Sequence, residues 1–481
     1  MNTVVAKASA DQVERAARLL SLGELVAFPT ETVYGLGCDA FNDQAAQKIF
    51  EVKGRPADNP LIVHVLDWPM LLEVAEAPLP TWAIQLARRF WPGPLTLVMP
   101  SRASLSPRVR GGLNTVAVRM PSHPVARDLL RALGRPIAAP SANRSGRTSP
   151  TDARAVDEDL RGRIPLILDG GPSEVGLEST VVDITLSPPA LLRPGGIGRE
   201  ALETVVGPLA PPTQGGLSRS PGTRYRHYAP KARVVVLTGD GDALQSQLSV
   251  LDQGPGTLAV MAKGSVLAKL AKEPSRCFSL GETAEDAAKT LFRGLRELDR
   301  IDPDSIAVIW DTDQGIGEAI LNRLRKAETK PEDTLLFLCS GNTCRSPMAE
   351  ALWNQRYALV SASSAGLLAT SGAPATESAK RAVARFGASL ENHRARPLAR
   401  VTDEPLMVVT MTADQAQAAR RLRPEWTSRI ASLSEWLHED FGDIIDPYGS
   451  SDEVYQAVAR KLDSLLPRLW QVVWDRMSKE R

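Results

Sequence analysis

A chain of 481 residues, 43% hydrophobic and 23% charged, is long enough for roughly three globular domains. Its 57 basic and 56 acidic residues leave a net charge of +1, which excludes a global electrostatic drive toward nucleic acid or an anionic membrane. Four cysteines (Cys38, Cys277, Cys339 and Cys344) make no disulfide framework, no apolar run reaches membrane-span length, and the opening MNTVVAKASADQVERA lacks a signal-peptide core. A cytoplasmic protein with no membrane partner is expected.

In chain order, Val13, Ala16, Ala17, Leu19 and Leu20 predict a helix over 11–22, stopped by Gly23. A strand over 25–28 enters PTETVYGLG, and a helix over 44–52 ends at Lys53-Gly54-Arg55-Pro56. Strands at 61–65, 95–99 and 115–119 alternate with helices at 81–90 and 125–133. The turn SANRSGRTSPT, a strand at 166–168, STVVDI from Ser179 and LLRPGG complete a mixed α/β domain over 1–206. Residues 207–230 are a proline-rich linker whose Arg224-Tyr225-Arg226-His227-Tyr228 cluster is too aromatic and basic for a passive spacer. A small α/β domain over 231–326 has strands at 234–237, 257–261 and 305–310 and an amphipathic helix over 284–298. A polar linker over 326–333 then leads to a last domain over 333–481.

Basic and hydroxyl residues gather at strand ends and turns of the first domain: Lys53, Arg55, Arg119, Ser141, Asn143, Ser179, Thr180 and Arg193. Point charge, forked guanidinium and small hydroxyls suit a polyphosphate together with a small polar molecule. There is no G-x-x-x-x-G-K-[ST] loop, so these residues alone do not name a nucleotide, and each taken singly reads as solvated surface.

In this order, PTETVYGLG, KGRPADNPL, SANRSGRTSPT, GLESTVVD and LLRPGGIG resemble the YrdC-type threonylcarbamoyl-AMP synthases. SPGTRYRHYAP followed by a small α/β domain is similar to their longer, two-domain branch. The resemblance implies condensation of L-threonine, bicarbonate and ATP, with Mg²⁺, into threonylcarbamoyl-AMP and pyrophosphate. The product would feed a downstream tRNA threonylcarbamoyl-transferase complex. By motif position, Thr32, His64, Arg119 and Ser179 would bind threonine, and Lys53, Arg55, Asn59, Thr115, Ser141, Asn143, Ser149 and Arg193 would bind ATP. Tyr225, His227 and Tyr228 would form a lid that keeps water from a labile mixed anhydride. His64, on LIVHV, also reads as an ordinary half-buried histidine. ATP is expected as a substrate, with no protein-held metal, no tightly bound cofactor and no direct readout of tRNA bases. The rival readings are a nucleic-acid-binding module and a carbamoyl-transfer module.

The last domain is organised around TLLFLCSGNTCRSPMAEALW, Thr334 to Trp353. A strand runs into Cys339, a short polar loop follows, and Ser346 and Pro347 read as the N-cap and first position of a helix. A strand–loop–helix of this kind aims backbone N–H groups at one point and adds the positive potential of the helix N-terminus. A thiol in that field is expected largely as thiolate, and Arg345 offers a fork for two phosphoryl oxygens. The stretch resembles the signature loop of low-molecular-weight protein phosphatases, which implies a doubly wound parallel sheet. It also implies Cys339 as nucleophile, Arg345 as phosphoryl ligand and Ser346 as support for the thiolate, with Asn342, Thr343 and Cys344 completing the loop.

The family's general acid would be Asp446 of Asp446-Pro447-Tyr448-Gly449. A phosphorylated protein is the expected partner. GNTCRSP resembles the arginine-phosphatase branch, in which Thr343 stands where phosphotyrosine enzymes carry a bulkier apolar residue. Arsenate reduction, the rival chemistry, needs a further cysteine downstream, and none follows Cys344. An inactive scaffold is the other rival. Cys344 is close enough in sequence to be a candidate partner for Cys339 on oxidation, and the sequence leaves open whether the two form a protective disulfide.

Overall fold

The structure is a computed structural model that describes residues 2–211, 230–238, 244–245, 247–248, 251, 257–270, 276–328, 334–357 and 360–479. Tyr225, His227 and Tyr228, with most of the proline-rich linker, lie outside the described residues. The chain forms two compact units, one within Met1–Thr238 and Leu258–Glu328, the other within Gly239–Thr257 and Thr329–Arg481.

A ten-stranded mixed sheet is the frame of the first unit. Its spatial order is Val4–Lys7, Leu166–Asp169, Val26–Phe28, Gly35–Asp39, Ile137–Ala138, Ile62–His64, Thr115–Arg119, Leu95–Pro100, Thr180–Asp183 and Ala190–Arg193. Strands distant in sequence become neighbours: His64 pairs in register with Arg119, and Thr96 faces Arg119 from the other side. Helix ends then aim the side chains between them. The helix Asp43–Lys53 starts on the Asn42 side chain and stops on Gly54 in the left-handed region at φ 63°, which leaves Lys53 on the last turn and Arg55 just beyond it. The first helix, Ala10–Ser21, begins one residue before the expected start at Asp11 because Ser9 accepts the Gln12 N–H.

Four parallel strands make the small sheet of the same unit, in the order Arg233–Leu237, Ser305–Ile309, Leu258–Ala262, Cys277–Ser279. Its helix Ala284–Arg300 opens with a Thr283–Asp286 capping box and buries Leu291, Phe292, Leu295 and Leu298. Each such side chain contributes roughly 2 kcal/mol of burial free energy. Val33 and Leu177, from the loops of the large sheet, belong to this same core. Gly176 (φ 78°) lets the helix dock, since a Cβ there would stand 2.4 Å from the Ala288 carbonyl oxygen. The polar linker expected from Lys326 begins later: the helix Ile316–Ala327 runs through that position because buried Leu324 and Ala327 hold its last turn.

The second unit has four parallel strands in the order Ser361–Gly366, Thr334–Cys339, Met407–Thr410, Ile430–Ser432. Alternation along the central strand covers both faces and gives the doubly wound arrangement. Phe337 packs edge-on against Trp353 of the Arg345–Arg356 helix. Leu336 and Leu338 pack with Ala416 and Ala419 of the Ala413–Leu422 helix. Trp470 of the long helix Asp452–Lys479 stacks on Tyr357 at 5.0 Å between ring centres and locks the first helix down.

The helix after Cys339 starts at Arg345, with Cys344 as its cap and no side chain bonded across that end. The expectation of Ser346 as N-cap is therefore corrected. Ser346 lies inside the first turn, and its hydroxyl turns to Cys339, leaving the first-turn N–H groups for an anion rather than for a capping side chain. No helix among the described residues is long and apolar enough to cross a membrane.

Candidate functional site

Thr32, Arg55, His64, Arg119, Ser141, Ser179 and Arg193 line one pocket of the first unit, although the sequence spreads them over most of its first two hundred positions. Arg119 Nη1 donates to Thr32 Oγ1 at 2.7 Å, and its Nη2 lies 2.6 Å from Glu31 Oε1 in an ion pair 4% exposed on both sides. Burial alone would raise the Glu31 carboxyl; the Arg119 charge and hydrogen bond outweigh it and hold the group below its ordinary value. Ser179 Oγ is 2.7 Å from Thr96 Oγ1, while Arg193 donates from Nη2 to the Ser179 carbonyl (2.9 Å) and hydroxyl (3.1 Å). The Arg193 fork is thereby fixed against the pocket wall.

His64 is buried against the edge of Phe28, and burial with the neighbouring Arg119 charge lowers its pKa to about 3. It is a neutral imidazole whose Nδ1 has no hydrogen-bond partner among the described residues. A core histidine normally satisfies both ring nitrogens, so an open Nδ1 in a pocket wall is a place for a ligand donor.

The remaining expected nucleotide residues stand one layer behind the wall. Lys53 Nζ donates to the carbonyl oxygens of Ser141 (2.5 Å) and Asn143, and burial together with the Arg55 charge brings its pKa well below the usual lysine value. Asn143 in turn accepts from Ser141 Oγ and donates to the Arg144 and Arg147 carbonyls, so Lys53 and Asn143 shape the loop that presents Ser141. Arg55 donates to the carbonyl oxygens of Asn59 and Pro60. Thr115 opens the strand beside His64, away from the pocket lining.

Ser149 Oγ donates at 2.5 Å to Glu178, a pocket-lining carboxylate the sequence reading passed over. Glu178 also receives Arg323 Nε at 2.9 Å, from the small sheet's helix. Burial acts to raise the Glu178 carboxyl, but the charges of Arg323 and Arg193 bring it down to about 2. Glu31 and Glu178 sat inside the motifs PTETVYGLG and GLESTVVD and could have been picked out as carboxylates among cations. Nothing in the sequence signals Arg323.

In the second unit, Cys339 Sγ lies 3.0 Å from Ser346 Oγ and receives the Asn342 N–H at 3.3 Å. Asn342 adopts φ 55°, in the left-handed region that Asn tolerates, which turns its N–H inward. Its side chain donates to Ser346 Oγ (3.1 Å) and Ser364 Oγ (2.8 Å) and accepts the Arg396 N–H, pinning the loop from behind. The pocket above, about 420 Å³, is walled by Thr343, Cys344, Arg345, Leu368, Thr370, Ala373, Asp446 and Tyr448. Arg345 donates to the Ile444 carbonyl (3.0 Å) and pairs with Asp446, whose other oxygen accepts the Tyr448 N–H. The hundred residues between Cys339 and Asp446 are thus closed by one ion pair at the mouth. Cys344 is reduced and faces Tyr455 Oη at 3.4 Å.

Three family models match the chain end to end. Sua5_yciO_yrdC, described as telomere recombination, matches residues 18–195, and the threonylcarbamoyl-AMP synthase C-terminal domain matches 197–328. The low-molecular-weight phosphotyrosine protein phosphatase model matches 334–480. The threonylcarbamoyl-AMP synthase of Pyrococcus abyssi is 46% identical over 327 residues, which is 66% of this chain and 94% of that protein. That of Bacillus subtilis is 46% identical over 323 residues, 66% of this chain and 92% of that protein. The crystal structure of P. abyssi Sua5 complexed with L-threonine superposes with a TM-score of 0.63 at 43% identity, covering 68% of this chain and 96% of the other. The YwlE arginine phosphatase of Geobacillus stearothermophilus is 32% identical, covering 31% of this chain and 94% of that one, with a TM-score of 0.27. The chain is an α/β protein of the threonylcarbamoyl-AMP synthase family. A low-molecular-weight phosphatase domain is joined to it at the C-terminal side.

Proposed function

We propose that the first unit condenses L-threonine, bicarbonate and ATP into threonylcarbamoyl-AMP and pyrophosphate, for transfer to tRNA by a downstream complex. The observation that carries this is the meeting of Thr32, Arg119 and Ser179 with the open Nδ1 of His64 in one wall, and of Arg193 beside them. Arg119 and the hydroxyls of Thr32 and Ser179 suit the carboxylate and side chain of threonine; Arg193, Arg55 and Ser141 suit the triphosphate.

The chemistry is positioning. The threonine amine condenses with bicarbonate to a carbamate with loss of water, and the carbamate oxygen then attacks the α-phosphorus as pyrophosphate leaves. The cations neutralise charge developing on the phosphates. Glu31 and Glu178 are each engaged by an arginine and so would not serve as carboxylate ligands; Mg²⁺ would be held by the triphosphate and would supply charge neutralisation there. Release of pyrophosphate from ATP that requires both threonine and bicarbonate tests the reading; release independent of threonine would sink it.

The second unit is a phosphatase working through a cysteinyl-phosphate. Cys339 Sγ, which accepts the Asn342 N–H, attacks phosphorus in line. Asp446 protonates the leaving group and then accepts a proton from the hydrolytic water. Its substrate class is protein phosphoarginine. The small Thr343 and the non-aromatic Leu368, Thr370 and Ala373 leave the pocket without an aromatic sandwich. Phosphotyrosine is the second reading, favoured by Tyr448 on one wall. Catalytic efficiencies on matched phosphoarginine and phosphotyrosine peptides decide between them, and Thr343→Ile should shift the ratio toward phosphotyrosine. An unchanged ratio removes Thr343 as the selector.

A further inference from the structure

The small parallel sheet reaches the pocket of the large one through two arginines. Arg323, 1% exposed, spans two loops with one guanidinium: Nε donates to Glu178 Oε2 at 2.9 Å and Nη1 to the Pro194 carbonyl at 2.6 Å. It therefore grips the residue before Ser179 and the residue after Arg193. Arg296 donates from Nη2 to the Thr148 carbonyl (2.5 Å) and to Asp159 (2.8 Å), bracing the residue before Ser149. Ser149 closes the circuit by donating to Glu178. Two of the loops that carry expected ATP ligands, those of Arg193 and Ser149, are thus tied to a domain none of whose described residues lines the pocket.

Electrostatics gives the arrangement a purpose. A buried carboxylate must be paired, and the two cations acting most strongly on Glu178 are Arg323 and Arg193. With Arg323 in place, Glu178 is satisfied from the small-domain side. Without it, Arg193 is the remaining cation that acts most strongly on Glu178, with the buried Lys326 beyond it, and is drawn away from any anion in the pocket.

We propose that Arg323 is a positioning residue for nucleotide binding: it takes up the Glu178 carboxylate so that Arg193 is presented to a phosphate of ATP. Arg296 acts in the same way on the Ser149 loop, with a smaller effect because Asp159 keeps Arg147 as a second partner at 2.9 Å. The proposal rests on the synthase reading above.

The test uses the full chain with Arg323→Met, Glu178→Gln, the double variant Glu178→Gln/Arg323→Met, and Arg296→Met. Binding of ATP and of L-threonine is measured separately by calorimetry, alongside threonine-dependent pyrophosphate release. Arg323→Met should weaken ATP about tenfold or more, as expected when a buried charge loses its partner, with a smaller loss for threonine. The double variant should recover ATP affinity to within about threefold of Glu178→Gln, because no buried carboxylate is left to capture Arg193.

Additive losses in the double variant, or ATP and threonine affinities falling together, would make Arg323 a packing residue and overturn the proposal. So would wild-type ATP affinity no better than that of Arg323→Met. A wild-type protein that binds ATP but releases no threonine-dependent pyrophosphate would instead strike the synthase reading, with the ATP affinities still deciding the role of Arg323.

Discussion

In and behind the first unit's pocket the charged groups are buried and already engaged: Arg119 by Glu31, Glu178 by Arg323, and Lys53 by two carbonyl oxygens. In the second unit Cys339 and Arg345 are buried, but Asp446 opposite them is half exposed and the outer walls at Leu368 and Tyr448 stand in solvent. The first site is assembled from strand ends and loops across about 160 positions of a ten-stranded sheet; the core of the second is eight consecutive residues spanning the end of one strand and the start of one helix. A site of the first kind fails by losing counter-charges, whereas one of the second kind fails by losing a single atom.

That difference ranks the outcomes of substitution. Cys339→Ser should lower phosphatase turnover by about five orders of magnitude, as loss of a covalent nucleophile does, and leave threonylcarbamoyl-AMP formation untouched. Lys53→Ala should do the reverse, since the Ser141–Asn143 loop loses its central donor. One substitution that silenced both activities in a folded protein would break the comparison.

Asp446→Asn should slow the phosphatase about 10²–10⁴-fold for substrates with poor leaving groups and much less for activated aryl phosphates. Equal losses across leaving groups would remove Asp446 as the acid.

Arg119→Ala sharpens the contrast in stability. It strands Glu31 as a buried carboxylate, at a cost of about 3–5 kcal/mol to the first unit. Arg345→Ala should cost much less, because its partner Asp446 is half in water. Denaturant titration followed separately in each unit measures both.

The smallest effect is on the acid limb of stability. Glu178 titrates at about 2 in the fold against an ordinary 4.5, so the unfolded chain binds its proton first as the pH falls. Its contribution, of order 3 kcal/mol, is present above pH 4.5 and lost as the pH drops toward 2. Unfolding of Glu178→Gln should show a correspondingly flatter dependence in that window; an unchanged slope would show that the carboxylate is not the group responsible.

Strand alternation, helix periodicity and caps made most elements legible, and they went astray at boundaries where a tertiary contact decided. The Ile316–Ala327 helix outran its polar signal because Leu324 and Ala327 are buried beneath it. Ser346 looked like a cap because nothing local says that its hydroxyl serves a sulfur seven residues back. The expected lid residues fall outside the described residues.

The sequence by itself determined the cysteine loop, since strand, turn and helix N-terminus are consecutive there and local geometry alone aims N–H groups and thiol at one point. It also determined which hydroxyls and cations of the first unit belong to motifs. Only the tertiary structure decided which of those face the pocket and which, like Lys53 and Asn143, hold the wall from behind. It alone brought Glu31 to Arg119 and Arg323 to Glu178. Charge pairing across a sheet depends on strand order and register, and those are settled by burial of apolar faces far from the residues that end up paired.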